Sequence, residues 1–138
     1  MRRGIAEERE LVHRLEDLGF AVLRAPASGS STKLDRPDIV AGGHGMHLTL
    51  EVKTTSKTTL YIQKASIDQL TRFSERFGAT PYLAVKFKHQ RRDWVLISPE
   101  RLAKTKSGYK LTLKEALKVG SRLEAVISSK LTDYAQST

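Results

Sequence analysis

Pro37-Asp38-Ile39-Val40-Ala41-Gly42-Gly43-His44-Gly45-Met46-His47-Leu48-Thr49-Leu50-Glu51-Val52-Lys53 reads as a strand, a glycine-rich turn and a second strand, hence a β-hairpin. The second strand alternates with period two. Met46, Leu48, Leu50 and Val52 share one face; His47, Thr49, Glu51 and Lys53 share the other. Glu51 and Lys53 are therefore neighbours on the polar face, and the hairpin brings Asp38 across from the first strand. Two carboxylates and one ammonium fall within reach of a single point.

Outward from the hairpin, the flanking segments alternate in kind. Residues 5–18 carry Ile5, Leu11, Val12, Leu15 and Leu18 within an arc of about 140° on a helical wheel, with Gly19 as a stop. Phe20 to Arg24 reads as a short buried strand, and the small, polar residues 25–36 as a mobile loop. Past the hairpin, residues 54–59 form a polar connection and Leu60-Tyr61-Ile62 a short extended piece. Ser66-Ile67-Asp68-Gln69 has the form of a capping box, which predicts a helix from Ser66 to Gly78. Strands are expected at 81–88 and 93–98 around a basic turn, and Ser98-Pro99-Glu100 is a helix-start pattern. Residues 101–110 are basic. Thr112-Leu113-Lys114-Glu115 is a further capping box, Gly120 a stop, and residues 123–127 a possible short helix before a frayed end. The expected fold is α/β, a central mixed β-sheet flanked by helices, with all elements on one sheet.

The chain has 138 residues, one domain's worth, and 28% charged residues, which fits a soluble globular protein. Its 24 Lys+Arg against 15 Asp+Glu give +9, which points to an anionic partner, nucleic acid before membrane. There is no cysteine, so disulfides, thiolate nucleophiles and Cys-ligated zinc are excluded and a reducing compartment is favoured. No apolar stretch approaches the roughly 20 residues that span a bilayer, and residues 1–8 lack the apolar core of a secretory signal.

Asp38, Glu51 and Lys53 suit phosphodiester hydrolysis. Two carboxylates hold a hard divalent cation, which polarises a phosphate and acidifies water, while the lysine stabilises developing charge. A lone Glu-x-Lys is commonly no more than a solvated strand face; the Pro-Asp and the clean two-period strand make this instance more specific. Glu8 is the second notable carboxylate. It falls inside the apolar arc of the first helix, whereas Glu7 and Glu10 point away. Such a residue either snorkels to the rim and pairs with an arginine, or joins a metal cluster. His44 and His47 make an H-x-x-H across a turn, too few ligands for zinc without cysteine. His13 and His89 read as solvent or phosphate contacts. Phe73 and Phe77 are either core or a subunit interface. Aromatic residues, at 7%, are too sparse for a base-stacking platform.

Pro37-Asp38 with Glu51-Val52-Lys53 resembles the PD-(D/E)xK nuclease signature. Further blocks, at Gly4–Leu11, Gly19–Arg24, Pro37–Gly42, Leu60–Ile62 and Phe73–Phe87 followed by Trp94, resemble the archaeal-type Holliday junction resolvases over residues 4–100. The resemblance implies a restriction-endonuclease-like core, with 1–138 a single nuclease domain and 101–138 an accessory segment that matches the family poorly. It implies Glu8, Asp38 and Glu51 as active-site carboxylates binding Mg2+ (with Mn2+ able to substitute), the Val52 carbonyl as a further ligand, and Lys53 as the catalytic lysine. Ser30, or a neighbouring serine in 28–31, corresponds to a loop serine of some members. Arg9, Arg24 and Lys86 match basic positions near the active face. Arg2, Arg3, Lys33, Arg36, Lys57, Lys64, Lys88, Arg91 and Arg92 are further candidate DNA contacts. The implied partners are branched DNA and a second copy of the chain in a two-fold dimer, with no membrane. The implied setting is the cytoplasm of a prokaryotic cell or a virus-infected host. A nuclease acting on duplex, flap or single strands, or a non-catalytic DNA-binding module, remains as an alternative.

Overall fold

The structure is a computed structural model in which residues 5–25, 35–90, 92–126 and 128 are described. Helix α1 spans Ile5–Asp17 and is followed by β1 (Ala21–Arg24), β2 (Ile39–Gly43) and β3 (Met46–Thr55). Then come β4 (Thr59–Gln63), α2 (Lys64–Phe77), β5 (Thr80–Phe87), β6 (Val95–Ile97), a single 3-10 turn at Pro99–Arg101, β7 (Ala103–Lys104), β8 (Gly108–Thr112) and α3 (Leu113–Val119). The expected central mixed sheet is present, with strand order β1-β2-β3-β5-β6. Only β3 and β5 run parallel; the other neighbours are antiparallel. The parallel pair requires a crossover, which α2 supplies.

The β2–β3 hairpin turns on His44 and Gly45, at φ 55° and 74°. Two central residues with positive φ make a turn whose twist matches the flanking strands. Gly42 and Gly43 lie in β2 rather than in the turn. Leu48 and Leu50 project towards α1 and pack with Leu11, Leu15, Trp94 and, from a short C-terminal helical turn, Leu123 and Val126. On the opposite face, Leu83, Val85, Phe87, Val95 and Ile97 pack with Ile67 of α2, Leu111 and Ala116. Thr49 also faces α2. Its hydroxyl is fully buried and shares a 2.6 Å hydrogen bond with Ser74 Oγ, which in turn donates to the Leu70 carbonyl.

Several expectations need correcting. The elements do not all share one sheet: β4, β8 and β7 form a second, antiparallel three-stranded sheet. Strand β1 is a sheet edge, and Leu23 is 75% exposed, so it is not a buried strand. Strand β3 runs on to Thr55, two residues into the expected connection. Helix α2 starts at Lys64 with Gln63 as its uncapped N-cap, so Ser66 and Gln69 form no capping box. By contrast, Thr112 does cap α3, accepting from the Glu115 N–H at 3.1 Å. Gly78 ends α2 in the left-handed region at φ 79°.

Strands β4 and β8 of the second sheet approach closely at Gly108. A Cβ there would sit 2.3 Å from the Ile62 carbonyl oxygen, a backbone atom that no rotamer change can move. Gly108→Ala is therefore expected to lower unfolding free energy by about 1–3 kcal/mol, the range for overpacking, in urea denaturation. A midpoint unchanged from the parent would show that the β4–β8 pairing can shift to admit a methyl group.

Candidate active site

Register places the site. Ile39 opposes Leu50 across the hairpin, so the preceding Asp38 opposes Glu51. Asp38 Oδ2 accepts a 2.7 Å hydrogen bond from the Val52 backbone N–H, which fixes that carboxylate against β3. Lys53 Nζ stands 3.8 Å from Glu51 Oε2. The segment that delivers Asp38 is held from α2: Arg72 donates to both carboxylate oxygens of Asp35, at 2.8 and 3.0 Å.

Glu8 joins the same neighbourhood from the first turns of α1. Its side chain is 16% exposed, and Oε1 accepts a 2.6 Å bond from Arg24 Nε at the end of β1. Both sequence alternatives therefore hold in part: Glu8 pairs with an arginine and also bears electrostatically on the carboxylate pair. Among the described residues, no three Asp, Glu or His side chains close around one point as a ready-made metal cage. The side-chain donors not engaged by arginine are Asp38 and Glu51, with the Val52 main chain between Glu51 and Lys53.

Burial pushes the Glu51 carboxyl up to about 7, with the charges of Asp38 and Glu8 adding to the effect and Lys53 opposing it. Burial also raises Asp38. The Val52 N–H works against that, Glu8 reinforces it, and Lys53 and Arg24 oppose it. Two desolvated, mutually repelling carboxylates are the donor chemistry that a hard divalent cation satisfies. The residues present fit such an ion.

The remaining carboxylates of α1 do not point freely into solvent. Glu10 Oε1 accepts from Lys86 Nζ and, at 2.8 Å, from Trp94 Nε1. Glu7 pairs with Lys88 at 3.2 Å. The wheel assigned Glu7 and Glu10 to the surface because it contains only α1; the lysines that reach them, Lys86 in β5 and Lys88 just after it, lie about 80 positions away. These pairs also show that Arg24, Lys86 and Lys88, expected to contact phosphate, are bonded to α1 carboxylates. Arg9, Arg36, Lys57 and Arg92 are exposed and form no ion pair among the described residues, while Lys64 pairs with Asp68. Arg2, Arg3, Ser30, Lys33 and Arg91 lie outside the described residues.

The histidines serve structure. His44 Nε2 donates to the Leu18 carbonyl at 2.7 Å, and its ring meets Phe20 edge-on. His47 meets Phe77 edge-on. Sequence reasoning missed the Arg72–Asp35 clamp, whose partners are 37 residues apart, and the link from Arg14 to Asp93 and Glu124. The only signal was the presence of four charged residues, Lys33, Asp35, Arg36 and Asp38, flanking Leu34 and Pro37.

A mixed sheet presenting Asp38, Glu51 and Lys53 from adjacent strands is the arrangement of PD-(D/E)xK-type nucleases. The solved structure of Archaeoglobus fulgidus Hjc, described as a Holliday junction resolvase from an archaeal hyperthermophile, matches with a TM-score of 0.81 and 31% identity, covering 91% of this chain and 98% of that one. A family model described as archaeal Holliday junction resolvase (Hjc) matches residues 1–132. The chain belongs to the archaeal Holliday junction resolvase family. Sulfurisphaera tokodaii crossover junction endodeoxyribonuclease Hjc is 36% identical over 126 residues, covering 91% of this chain and 85% of the relative. The Methanocaldococcus jannaschii protein of the same name is 48% identical over 86 residues, and that alignment spans 62% of this chain and 60% of the relative. The family match thus runs well past residue 100, where the motif resemblance stopped, and takes in β7, β8 and α3.

The raised Glu51 pKa has a consequence for stability in chelator. A carboxyl whose folded pKa lies above its unfolded value stabilises the fold below about pH 4.5, and that contribution is lost as pH rises through about 7. Thermal melts in EDTA should show Glu51→Gln gaining on the parent as pH climbs through this window. A difference that stays constant with pH would mean that Glu51 titrates as an ordinary exposed carboxylate.

Proposed function

We propose that the chain is a structure-selective endonuclease that cuts four-way DNA junctions by metal-dependent phosphodiester hydrolysis, nicking opposing strands in pairs as a homodimer. The observation that carries this reading is the raised, mutually repelling Asp38–Glu51 pair beside Lys53, in a chain whose relatives are named crossover junction endodeoxyribonucleases. Mg2+, with Mn2+ as a substitute, would be held by Asp38, Glu51 and the Val52 carbonyl, with Glu8 at the rim; when bound it supplies charge neutralisation of the carboxylates, polarisation of the phosphate and a more acidic water. Lys53 stands next to Glu51 and stabilises the charge that builds on the phosphate oxygens during attack. Arg24 holds Glu8 in place, and the Val52 N–H orients Asp38. The site acts with DNA in the cytoplasm; among the described residues no helix is long and apolar enough to cross a membrane. Recognition is by shape and phosphate contact rather than base readout.

Paired cuts on opposing strands call for two symmetry-related sites. Phe73 and Phe77 stack with ring centroids 5.4 Å apart at the end of α2, and Phe77 is 50% exposed. His47, from the start of β3, extends this aromatic face. A second copy meeting the face would bury it around a two-fold axis.

Cleavage assays test the site. Glu51→Ala or Lys53→Ala should lose at least about 10²-fold in junction cleavage, while binding to the junction persists. Full activity in either variant would overturn the assignment, and cutting plain duplex as fast as a junction would overturn the structure selectivity. The dimer is tested separately. Phe77→Glu should shift the sedimentation coefficient towards monomer with the fold intact, and an unaltered dimer would remove this face from the interface.

A further inference from the structure

The cations nearest the proposed catalytic centre are engaged by carboxylates, yet many basic residues elsewhere are not. Residues 99–122 contain seven Lys or Arg and two Glu, so over half of the chain's +9 falls in a short segment remote from Asp38. Arg101, Lys104, Lys106, Lys114 and Lys118 are exposed, Lys110 is half-buried, and none of them pairs with a carboxylate among the described residues. Of the two acids, Glu115 is bonded to Thr112 as the cap of α3. Concentrating unpaired like charges on one small sheet destabilises it, which calls for an external anion.

The placement is specific. Lys104 opposes Tyr109 across β7 and β8, so both lie on one face of the second sheet, while Lys110 opposes Tyr61 and lies on the other. The β7–β8 hairpin is tightened by the Thr105 N–H to the Gly108 carbonyl and the Gly108 N–H to Thr105 Oγ1, at 2.8 and 3.1 Å. At its tip, Lys104, Lys106, Thr105, Ser107, Tyr109 and Lys64 line a cleft of about 230 Å³. Ammonium and hydroxyl groups in one cleft, with a tyrosine-bearing face beside it, are the donor set that phosphate oxygens take. The cleft is also within reach of the centre. The chain runs from Lys53 through β4 to Lys64, which lines the cleft, and eleven residues of extended chain span at most about 40 Å, which about twelve nucleotides of a duplex strand also cover.

We propose that the β4–β8–β7 sheet, through Lys64, Lys104 and Lys106, which line one cleft, is an auxiliary phosphate-binding surface that grips a duplex arm of the DNA held at the catalytic centre. This rests on the reading of the chain as a junction nuclease, and the experiment separates the two. Its three lysines are changed together to Gln, and binding to a four-way junction is followed by fluorescence anisotropy between about 50 and about 200 mM salt. The slope of log affinity against log salt should become shallower by about 2 to 3, and affinity at the lowest salt should fall at least about tenfold. Single-turnover cleavage at saturating enzyme should be unchanged, because none of the three touches the centre. Lys106→Gln alone, at the exposed hairpin tip where no packing is lost, should give about a third of the change in slope. A triple variant with the parent's affinity and slope overturns the proposal, and assigns these cations to something other than DNA. A lowered saturated cleavage rate at unchanged affinity overturns it too. A parent that binds with the expected slope but cuts no junction would sink the nuclease reading and leave this surface standing.

Discussion

Repulsion between Asp38 and Glu51 is the constraint around which the molecule is arranged. They face each other across β2 and β3 with most of their surface withdrawn from water, where burial disfavours ionisation of both and Asp38 further disfavours that of Glu51. Left alone, the pair would splay or stay protonated. The fold prevents splaying by bonding Asp38 to the Val52 N–H and by clamping the approach to Asp38 through Asp35 and Arg72. Lys53 and Arg24 lower the repulsion without abolishing it. What remains is a desolvated, electron-rich pair held in place by the surrounding hairpin and core.

Helix α1 is sorted by the same electrostatics. Three carboxylates within one turn each meet a different cation: Glu7 meets Lys88, Glu8 meets Arg24 and Glu10 meets Lys86. One turn further on, Arg14 reverses the polarity and binds Asp93 and Glu124, with Asp93 held well below the usual carboxylate range by that guanidinium. These pairs are partly exposed, so each contributes little to stability. Their joint effect is positional: only one rotation and height of α1 satisfies all of them while Leu11 and Leu15 stay buried. Glu8 is thereby aimed at the carboxylate pair rather than at solvent.

What could be read from the sequence, and what could not, follows from the range of each interaction. The hairpin was legible because a period of two and a glycine turn are local, and they place Asp38, Glu51 and Lys53 without knowledge of anything else. Glu8 was legible because a charge inside an apolar arc conflicts with its own helix. The capping box at Ser66 failed because β4 runs directly into α2, so the helix start is set by pairing of Gln63 with Gly108. The second sheet was invisible for a related reason. Strand β7 has two residues, and β8, Gly108-Tyr109-Lys110-Leu111-Thr112, buries fully only Leu111, too few apolar positions to show a period. Likewise the partners of Glu7 and Glu10 were hidden, since a helical wheel carries no information about which strand will pass beneath it.

The pairing pattern changes what the net charge means. A basic chain is commonly pictured with its positive field centred on the catalytic groove. Here Lys86 and Lys88 are close to the centre but offset by Glu10 and Glu7, and Arg24 by Glu8, while Asp38 and Glu51 add negative charge at the point where a phosphate must arrive. The field of these side chains at that point is therefore weak or unfavourable to a phosphate, and a divalent cation of the kind proposed would reverse it. Attraction at a distance must come from cations without partners: Arg9, Arg36, Lys57 and Arg92 around the sheet end, and the lysines of β7, β8 and α3 beyond it. On the proposed reading, separating long-range attraction from local chemistry in this way would let DNA be held before a metal-dependent step. Phosphate binding and catalysis then depend on different residues and respond differently to salt and to chelator.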